Sequence, residues 1–493
     1  MRKTLFSLVA LIVIATMVLS ACTPAATTSA PQPTTAAEQP TEAGATGAAT
    51  ATIAPAAPAA APTATIAPPS SADATKIAFW HSMGGDIGGK AIPQMANDFN
   101  ASQQQCYVEP IYQGSYDDSL NKLKAGLQSK DTPAVVQLFD IGSRLMVDLK
   151  VVTPVQDFID AESYDVSDLE PNVLSYYTIE GKQYSMPFNT STPLLYYNKD
   201  MFREAGLDPE KPPRTFAEFE EYATKLTKKD GNTTTVYGGT FAIYGWFFEQ
   251  FMAVSNALYV DNNNGRDGIP TQAVFNGPEG VEILTWWKRM VDAGVMANLG
   301  RKTVDARNAF LAGQTAMIIE STATLRGLTD ASAGKFEIGT GFLPRPNEEA
   351  YENSGTIIGG ASLWIINNRS EEEQACAWEF IKYQAAPPQQ AYWHTMSGYF
   401  PIRKAAYEEQ LDKDWVAKYP QFTTAVDQLH GTPIVPASRG ALIGVFPQAR
   451  ATIETAIEEV LAGAATPQEA LDKAAAEVTA AIEEYNLSMG LTP

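Results

Sequence analysis

Residues 187–200 read PFNTSTPLLYYNKD. Within this stretch the run LLYY, residues 194–197, is short and free of charged side chains, and the polar Asn198, Lys199 and Asp200 end it. A run of this kind is typical of a strand buried on both faces of a parallel sheet. Similar runs occur at residues 134–139 (AVVQLF), 316–319 (AMII) and 362–366 (SLWII). The sequence therefore predicts an α/β fold.

The segment from residue 76 to residue 99 predicts how the fold begins. Residues 76–80 (KIAFW) are a strand-type run, and a glycine-rich turn follows. A helical pattern then starts near residue 91, with Ile92, Met95 and Phe99 on one face. The glycines do not form GxGxxG in order, so a dinucleotide site is not indicated. We expect a turn at which the backbone approaches a ligand or the other lobe.

Two later helices have recognisable first residues. Thr215 follows two prolines and is itself followed by Glu218, which is the spacing of a capping box. Thr466-Pro467 precedes a long helical pattern, and proline is favoured at the first helical position. We expect helices to begin at both places.

Composition and charge exclude several classes of function. The 493 residues include 35 Lys and Arg against 56 Asp and Glu, a formal charge of −21. Nucleic acids and anionic lipid surfaces are bound by clusters of basic side chains, and the sequence has no such cluster. Three histidines and three cysteines are too few for a zinc motif or a disulfide scaffold. With no GxSxG elbow or P-loop either, the sequence predicts no metal, no cofactor and no catalytic residues.

The first 22 residues are typical of an export signal. Two basic residues precede an apolar run that is shorter than the ~20 residues of a spanning helix. The tetrapeptide LSAC at residues 19–22 resembles the bacterial lipobox, which predicts a lipid on Cys22; an uncleaved anchor helix is the alternative. Residues 23–72 are rich in Ala, Thr and Pro, which predicts a disordered linker with a reach of about 40 Å.

Cys106 and Cys376 are the remaining cysteines. Pairing would require an oxidising compartment and a short Cα separation, and the sequence fixes neither. We expect two buried free thiols, with a disulfide as the alternative.

Five stretches match a known family. They are FWHSM (79–83), PFNTSTPLLYYNKD (187–200), IIGGASLW (357–364), SGYFPI (397–402) and PQAR (447–450). On these stretches the chain resembles the family 1 extracellular solute-binding proteins of ABC importers, and specifically their sn-glycerol-3-phosphate-binding branch. YYNKD alone marks the broad superfamily, sugar binders included, whereas WHSM and IGGASLW are more specific to the branch.

The resemblance implies a two-lobed periplasmic-binding-protein fold of type II. Two α/β lobes would be joined by hinge crossings, and a ligand would be held in the cleft between them. The crossings are expected near residues 188–193 and 344–356. The first lobe would comprise residues 73–190 and 345–395, and the second lobe residues 191–344 and 396–493.

The resemblance also implies a set of ligand contacts, which are Tyr116, Asp140, Ser191, Trp246, Ser321, Gly360, Tyr399 and Arg450. Of these, Tyr399 and Arg450 match the residues that hold phosphate in the family. Asp140 stands where the family usually has Glu. Ile243 stands at the position of a second pocket tryptophan.

These residue types suit a phosphorylated ligand even without the resemblance. Arg offers a planar fork that matches phosphate oxygens, whereas a carboxylate such as Asp140 should face hydroxyls or a cationic head group. Each residue also has an ordinary structural role open to it. Arg450 has the spacing of a helix pair with Glu454, Trp246 could belong to the core, and Asp140 could cap the following turn.

We therefore expect a monomeric solute-binding protein for glycerol-3-phosphate or a glycerophosphodiester such as glycerophosphocholine. Lipid on Cys22 would hold it outside the cell membrane, or in the periplasm of a two-membrane envelope, where it would serve ABC permease subunits and their ATPase. The alternatives are a sugar- or oligosaccharide-binding protein of the same family and a surface glycosidase, which needs two carboxyls facing the ligand. Isoleucine in place of a tryptophan at position 243 would widen the pocket, which favours the longer glycerophosphodiester; the alternative is that another side chain fills the gap.

Overall fold

The structure is a computed structural model that describes residues 66–67 and 71–492. The predicted signal peptide, Cys22 and most of the predicted linker lie outside the described residues. Among the described residues, none of the helices combines the length and the hydropathy that a membrane crossing requires.

The strands are numbered in chain order: β1 (Thr75–His81), β2 (Cys106–Tyr112), β3 (Val135–Phe139), β4 (Val152–Thr153), β5 (Thr178–Ile179), β6 (Lys182–Gln183), β7 (Met186–Ser191), β8 (Pro193–Asn198), β9 (Lys228–Asp230), β10 (Thr233–Thr240), β11 (Met296–Ala297), β12 (Thr315–Ser321), β13 (Ile338–Phe342) and β14 (Gly359–Ile366).

The α-helices are α1 (Ala91–Ser102), α2 (Tyr116–Ser129), α3 (Ser143–Leu149), α4 (Val155–Glu162), α5 (Pro171–Tyr177), α6 (Lys199–Glu204), α7 (Phe216–Leu226), α8 (Gly245–Val254), α9 (Pro278–Asp292), α10 (Thr303–Leu311), α11 (Leu325–Ser332), α12 (Ala350–Asn353), α13 (Glu371–Gln384), α14 (Pro387–Ser397), α15 (Gln410–Lys418), α16 (Thr424–His430), α17 (Phe446–Leu461) and α18 (Pro467–Met489). Short 3₁₀ helices cover Asp140–Gly142, Thr322–Thr324, Lys404–Glu408 and Pro420–Thr423. Asp261–Gly265 forms a turn whose three asparagines have positive φ.

The first sheet has the order β2-β1-β3-β14-β4, and β7 also pairs with β14. β1 runs parallel to β2 and β3, whereas β14 runs antiparallel to β3. The predicted strands at residues 134–139 and 362–366 are β3 and β14, and both are almost completely buried. The α/β prediction is confirmed.

The second sheet has the order β11-β10-β12-β8-β13, with β9 paired to β10. β10 runs parallel to β11 and β12, and β8 runs antiparallel to β12 and β13. The chain passes from the first sheet to the second at Thr192, between β7 and β8, and returns in the segment that joins β13 to β14. The lobe limits given above, and movement about these passages, stay predictions.

Helices cover the sheets with the apolar faces that the sequence predicts. α1 packs against β2, and its buried side includes Ile92, Met95 and Phe99. α7 packs against β10 and β12, and α13 packs against β1 and β14. The predicted helix starts are confirmed as well, because Thr215 and Thr466 each form a capping box with the glutamate three residues later.

Cys106 and Cys376 form a disulfide, so the expectation of two free thiols is wrong. Their Cα atoms lie 5.6 Å apart, within the ordinary range for a disulfide. The bond joins the first residue of β2 to a buried position of α13, which packs beside that strand. The two cysteines are 270 residues apart in the chain, and only the fold reveals that they are neighbours.

Candidate functional site

A cavity of about 490 Å³ lies where residues of the two sheets meet. All eight residues predicted as ligand contacts line it, namely Tyr116, Asp140, Ser191, Trp246, Ser321, Gly360, Tyr399 and Arg450. The fold thus brings together positions spread over most of the described chain. Their role in binding a ligand stays a prediction.

The strand ends explain why these side chains meet. Asp140 directly follows β3, Ser191 ends β7, and Ser321 ends β12. Gly360 stands near the beginning of β14, but β14 is antiparallel to β3, so that end lies at the same edge of the sheet. Ligands of open α/β sheets bind in the crevice outside the carboxyl ends of the strands. The cavity occupies that position.

Arg450, near the start of α17, forms a buried ion pair with Glu249 of α8. Its Nε and Nη2 donate to the two carboxylate oxygens of Glu249, at 2.7 and 2.8 Å. Its Nη2 also lies 3.8 Å from a carboxylate oxygen of Asp140. The helix pair with Glu454 does not form, because Glu454 pairs with Arg301 and accepts the backbone N–H of Gly245.

Burial disfavours the charge of both carboxylates in this group. It raises the pKa of Asp140 from 3.8 to about 7; the positive charge of Arg450 opposes the rise, and the negative charge of Glu249 adds to it. Burial also raises the pKa of Glu249, against the attraction of Arg450. Near neutral pH the carboxyl of Asp140 is therefore divided between its neutral and its ionised form.

A chain of amide groups orients the hydroxyl of Tyr116. The backbone N–H of Ser82 donates to Gln137, Gln137 donates to Asn189, and Asn189 donates to the Tyr116 hydroxyl, over 2.8, 2.7 and 2.8 Å. The Tyr116 hydroxyl also lies close enough to that of Tyr399 for the two groups to interact electrostatically.

The two glycines of IIGGASLW allow close approach of the backbone. Gly360 has a φ of +94°, and a Cβ there would overlap the carbonyl oxygen of Asn189 on the paired strand β7. A Cβ at Gly359 would come within 2.7 Å of the Trp246 indole ring. The indole N–H of Trp246 is buried and has no hydrogen-bond partner among the described residues.

Ser321 stands beside a second ion pair that also lines the cavity. Glu320 pairs with Arg307 at 3.1 Å and accepts the backbone N–H of Ser321 at 2.8 Å. The Ser321 hydroxyl accepts the backbone N–H of Ala323, so its proton is left to donate. Glu320 and Arg307 were not predicted as site residues.

Ile243 does not belong to the cavity wall, so the aliphatic wall and the extra room inferred from it are wrong. Ile243 is buried in the apolar core, and the next residue, Tyr244, lines the cavity instead. The backbone of Tyr244 is extended, and successive side chains of an extended segment point to opposite sides. The Tyr244 ring lies 6.3 Å from that of Trp246, so the two rings form an aromatic wall.

Glu249 is another residue that the sequence reasoning missed. It stands three residues after Trp246 in α8, and residues at that spacing share one side of a helix. A carboxylate inside the aromatic-rich run WFFEQF was the available signal. Buried charges are rare unless they are paired, so such a residue indicates a partner elsewhere in the chain.

The donor set suits an organic ligand with oxygen atoms. Within the part of the chain that the structure describes, no group of three or more His, Cys, Asp or Glu side chains is placed to hold a metal ion. The cavity offers hydroxyl and guanidinium donors next to carboxylate acceptors. Such a mixture can bind phosphate, hydroxyl groups or both.

Comparison with known proteins finds relatives among the solute-binding proteins. A family model described as bacterial extracellular solute-binding protein matches residues 94–424. The chain is 35% identical, over 405 residues, to the sn-glycerol-3-phosphate-binding periplasmic protein UgpB of Escherichia coli K12. The match covers 81% of this chain and 91% of that protein.

Solved structures share the fold. UgpB from Mycobacterium tuberculosis, in complex with glycerophosphocholine, superimposes with a TM-score of 0.71 at 24% identity and covers 84% of this chain and 100% of its own. The cyclic α-maltosyl-1,6-maltose binding protein from Arthrobacter globiformis gives 0.67 at 24% identity, with 83% and 100% covered. The predicted two-lobed periplasmic-binding-protein fold is confirmed.

Proposed function

Because the chain belongs to the bacterial extracellular solute-binding proteins, we propose that it captures glycerol-3-phosphate or a glycerophosphodiester and delivers it to an ABC permease. Membership of this family places the chain among binding proteins and not among enzymes. The glycosidase alternative is thereby removed, although Asp140 and Glu320 both line the cavity. The relative from Escherichia coli, named for binding glycerol-3-phosphate, supports the choice of ligand.

The observation that carries the proposal is the position of Arg450. Its guanidinium is buried in the cavity wall, and Glu249 occupies only the side that carries Nε. With a further N–H of Nη1 directed at the Tyr244 hydroxyl, two of the five N–H groups remain for phosphate oxygens. The hydroxyls of Ser321 and Tyr399 are the neutral donors of the same cavity.

Export and anchoring belong to the same proposal. The resemblance of LSAC to a lipobox supports a lipid on Cys22, which would hold the protein at the outer face of the cell membrane or within a periplasm. The composition of residues 23–72 supports a flexible tether between that lipid and the folded part. The protein would bind its solute as a monomer and present it to the permease and its ATPase.

A sugar or oligosaccharide is the second candidate ligand. The aromatic wall of Tyr244 and Trp246 favours it, because aromatic rings provide flat apolar surfaces for ligand packing. Asp140 and Glu320 would serve as acceptors for sugar hydroxyls. In that case the fork of Arg450 would bind hydroxyls instead of phosphate.

Isothermal titration calorimetry distinguishes the two candidates. Glycerol-3-phosphate, glycerophosphocholine and maltose are titrated into the purified protein, and we expect heat from at least one phosphate ligand and none from maltose. Arg450→Ala should weaken phosphate binding by about a hundredfold or more, because the ligand phosphate would be buried without its charged partner. Arg289→Ala, in an exposed ion pair with Glu220, is the control. Binding of maltose alone would contradict the proposal and favour the sugar.

A further inference from the structure

Glu249 is a buried carboxylate that contacts Arg450 and does not line the cavity. Its side chain is 4% exposed, and both of its oxygens accept from Arg450. Arg450 has five N–H groups, of which Glu249 uses one on Nε and one on Nη2. A third points toward the Tyr244 hydroxyl, 3.4 Å from Nη1. Glu249 therefore fixes the plane of the guanidinium and decides which edge a ligand meets.

Glu249 also cancels the charge that a phosphate would meet. Arg450 contributes +1 and Glu249 contributes −1, and Asp140, 3.8 Å from Arg450, adds a negative charge when it is ionised. The sum is zero at most. In a poorly hydrated site, a dianion without a net opposite charge is costly to bind.

The other charges around the cavity do not restore a positive centre. Arg301 pairs with Glu454 and Glu458, and Arg307 pairs with Glu320. Lys302 lines the cavity but is exposed, so water screens its charge. No further cation lines the cavity among the described residues.

We propose that Glu249 sets the ligand charge that this site accepts, so that a zwitterionic glycerophosphodiester is preferred over dianionic glycerol-3-phosphate. This inference rests on the proposed function. The phosphodiester group of such a ligand carries a single negative charge for the fork of Arg450. In glycerophosphocholine a quaternary ammonium brings a positive charge, for which the ionised Asp140 is a counter-ion and the rings of Tyr244 and Trp246 offer cation–π faces.

The test compares two ligands on matched variants. Glu249→Gln keeps the size of the side chain and one acceptor for Arg450, and it removes the negative charge. We expect the ratio of the glycerol-3-phosphate Kd to the glycerophosphocholine Kd, measured by calorimetry at pH 7.5, to fall about tenfold or more. Glu170→Gln is the control, because Glu170 is equally buried, pairs with His430 and does not line the cavity. Its ratio should match that of the unmodified protein.

Glu249→Asp keeps the charge and shortens the side chain by one methylene. We expect this variant to bind both ligands more weakly with the same ratio, within about a factor of two. This variant tests the inference if Glu249→Gln does not fold. A tenfold change in the ratio of the two Kd values in Glu249→Asp would show that geometry and not charge sets the ligand preference.

The outcomes separate this inference from the function on which it rests. If the unmodified protein binds neither phosphate ligand, the proposed function is wrong and the inference falls with it. If it binds them and Glu249→Gln leaves the ratio unchanged, the inference alone is overturned and Glu249 only supports Arg450.

Discussion

Replacing Asp140 by asparagine should stabilise the protein increasingly as the pH rises. Asparagine has nearly the same shape as aspartic acid but does not ionise. The carboxyl is 7% exposed, and its pKa in the folded protein is about 7 against an ordinary value of 3.8. A raised pKa means that the folded protein holds the proton more tightly than the unfolded chain does.

The sign and the size follow from that difference. The stabilising contribution of the protonated carboxyl is fully present below the unfolded pKa of 3.8 and is lost as the pH rises through the folded value of about 7. Each pKa unit corresponds to about 1.4 kcal/mol, so the loss between pH 5.5 and pH 8 is about 2 kcal/mol. The free energy of unfolding of Asp140→Asn, relative to the unmodified protein, should rise by that amount over the same interval.

Denaturant unfolding followed by tryptophan fluorescence at pH 5.5 and pH 8 measures this change. The difference between the two proteins isolates Asp140, because all other titrating groups are common to both. Asp117→Asn, at an exposed position of α2, is the control and should give the same difference at both pH values. An equally constant difference for Asp140→Asn would refute the reasoning, because it would show that the carboxyl ionises normally beside Arg450 and Glu249.

Three other measurements test further features of the structure. Gly360→Ala should lower the melting temperature and weaken ligand binding, because the methyl group would overlap the Asn189 carbonyl oxygen at a φ of +94°; Gly268→Ala, where the nearest atom lies 3.8 Å away, should change neither. Serine at both Cys106 and Cys376 should cost about 2–5 kcal/mol of stability, and an unchanged melting temperature would speak against the disulfide. A saturating ligand should reduce the radius of gyration in small-angle scattering, since contacts from both lobes favour a closed state; an identical radius would indicate a rigid cavity.

The sequence predicted the elements of this fold better than their pairing. The runs at residues 134–139, 316–319 and 362–366 become β3, β12 and β14, because strands buried on both faces need apolar side chains at nearly every position. Neither the antiparallel insertion of β14 beside β3 nor the Cys106–Cys376 bond has a local signal. Both depend on contacts between segments that are more than 200 residues apart.

The sequence predicted eight residues that line the cavity, but it did not predict the residues that hold their side chains in place. Positions such as Tyr116 and Tyr399 could be carried over from the family because motifs surround them. Glu249 and Asn189 escaped notice because their roles come from bonds to distant residues, Arg450 and Tyr116. The prediction for Ile243 was wrong by one position, because the neighbouring Tyr244 lines the cavity instead. Successive side chains of an extended segment point to opposite sides, so a shift of one residue exchanges a cavity position for a core position.

The disulfide has a mechanical consequence. Force applied to the two ends of the oxidised chain passes from Cys106 directly to Cys376, so the 270-residue span between them is not stretched. At about 3.5 Å per extended residue, roughly 900 Å of contour length is withheld from such a pull. Every strand of the second sheet and the whole stretch from β3 to β14 lie inside this closed ring. Such a pull would therefore be carried by β1, α1 and the part of the chain after residue 376, and the passages at Thr192 and between β13 and β14 would bear none of it.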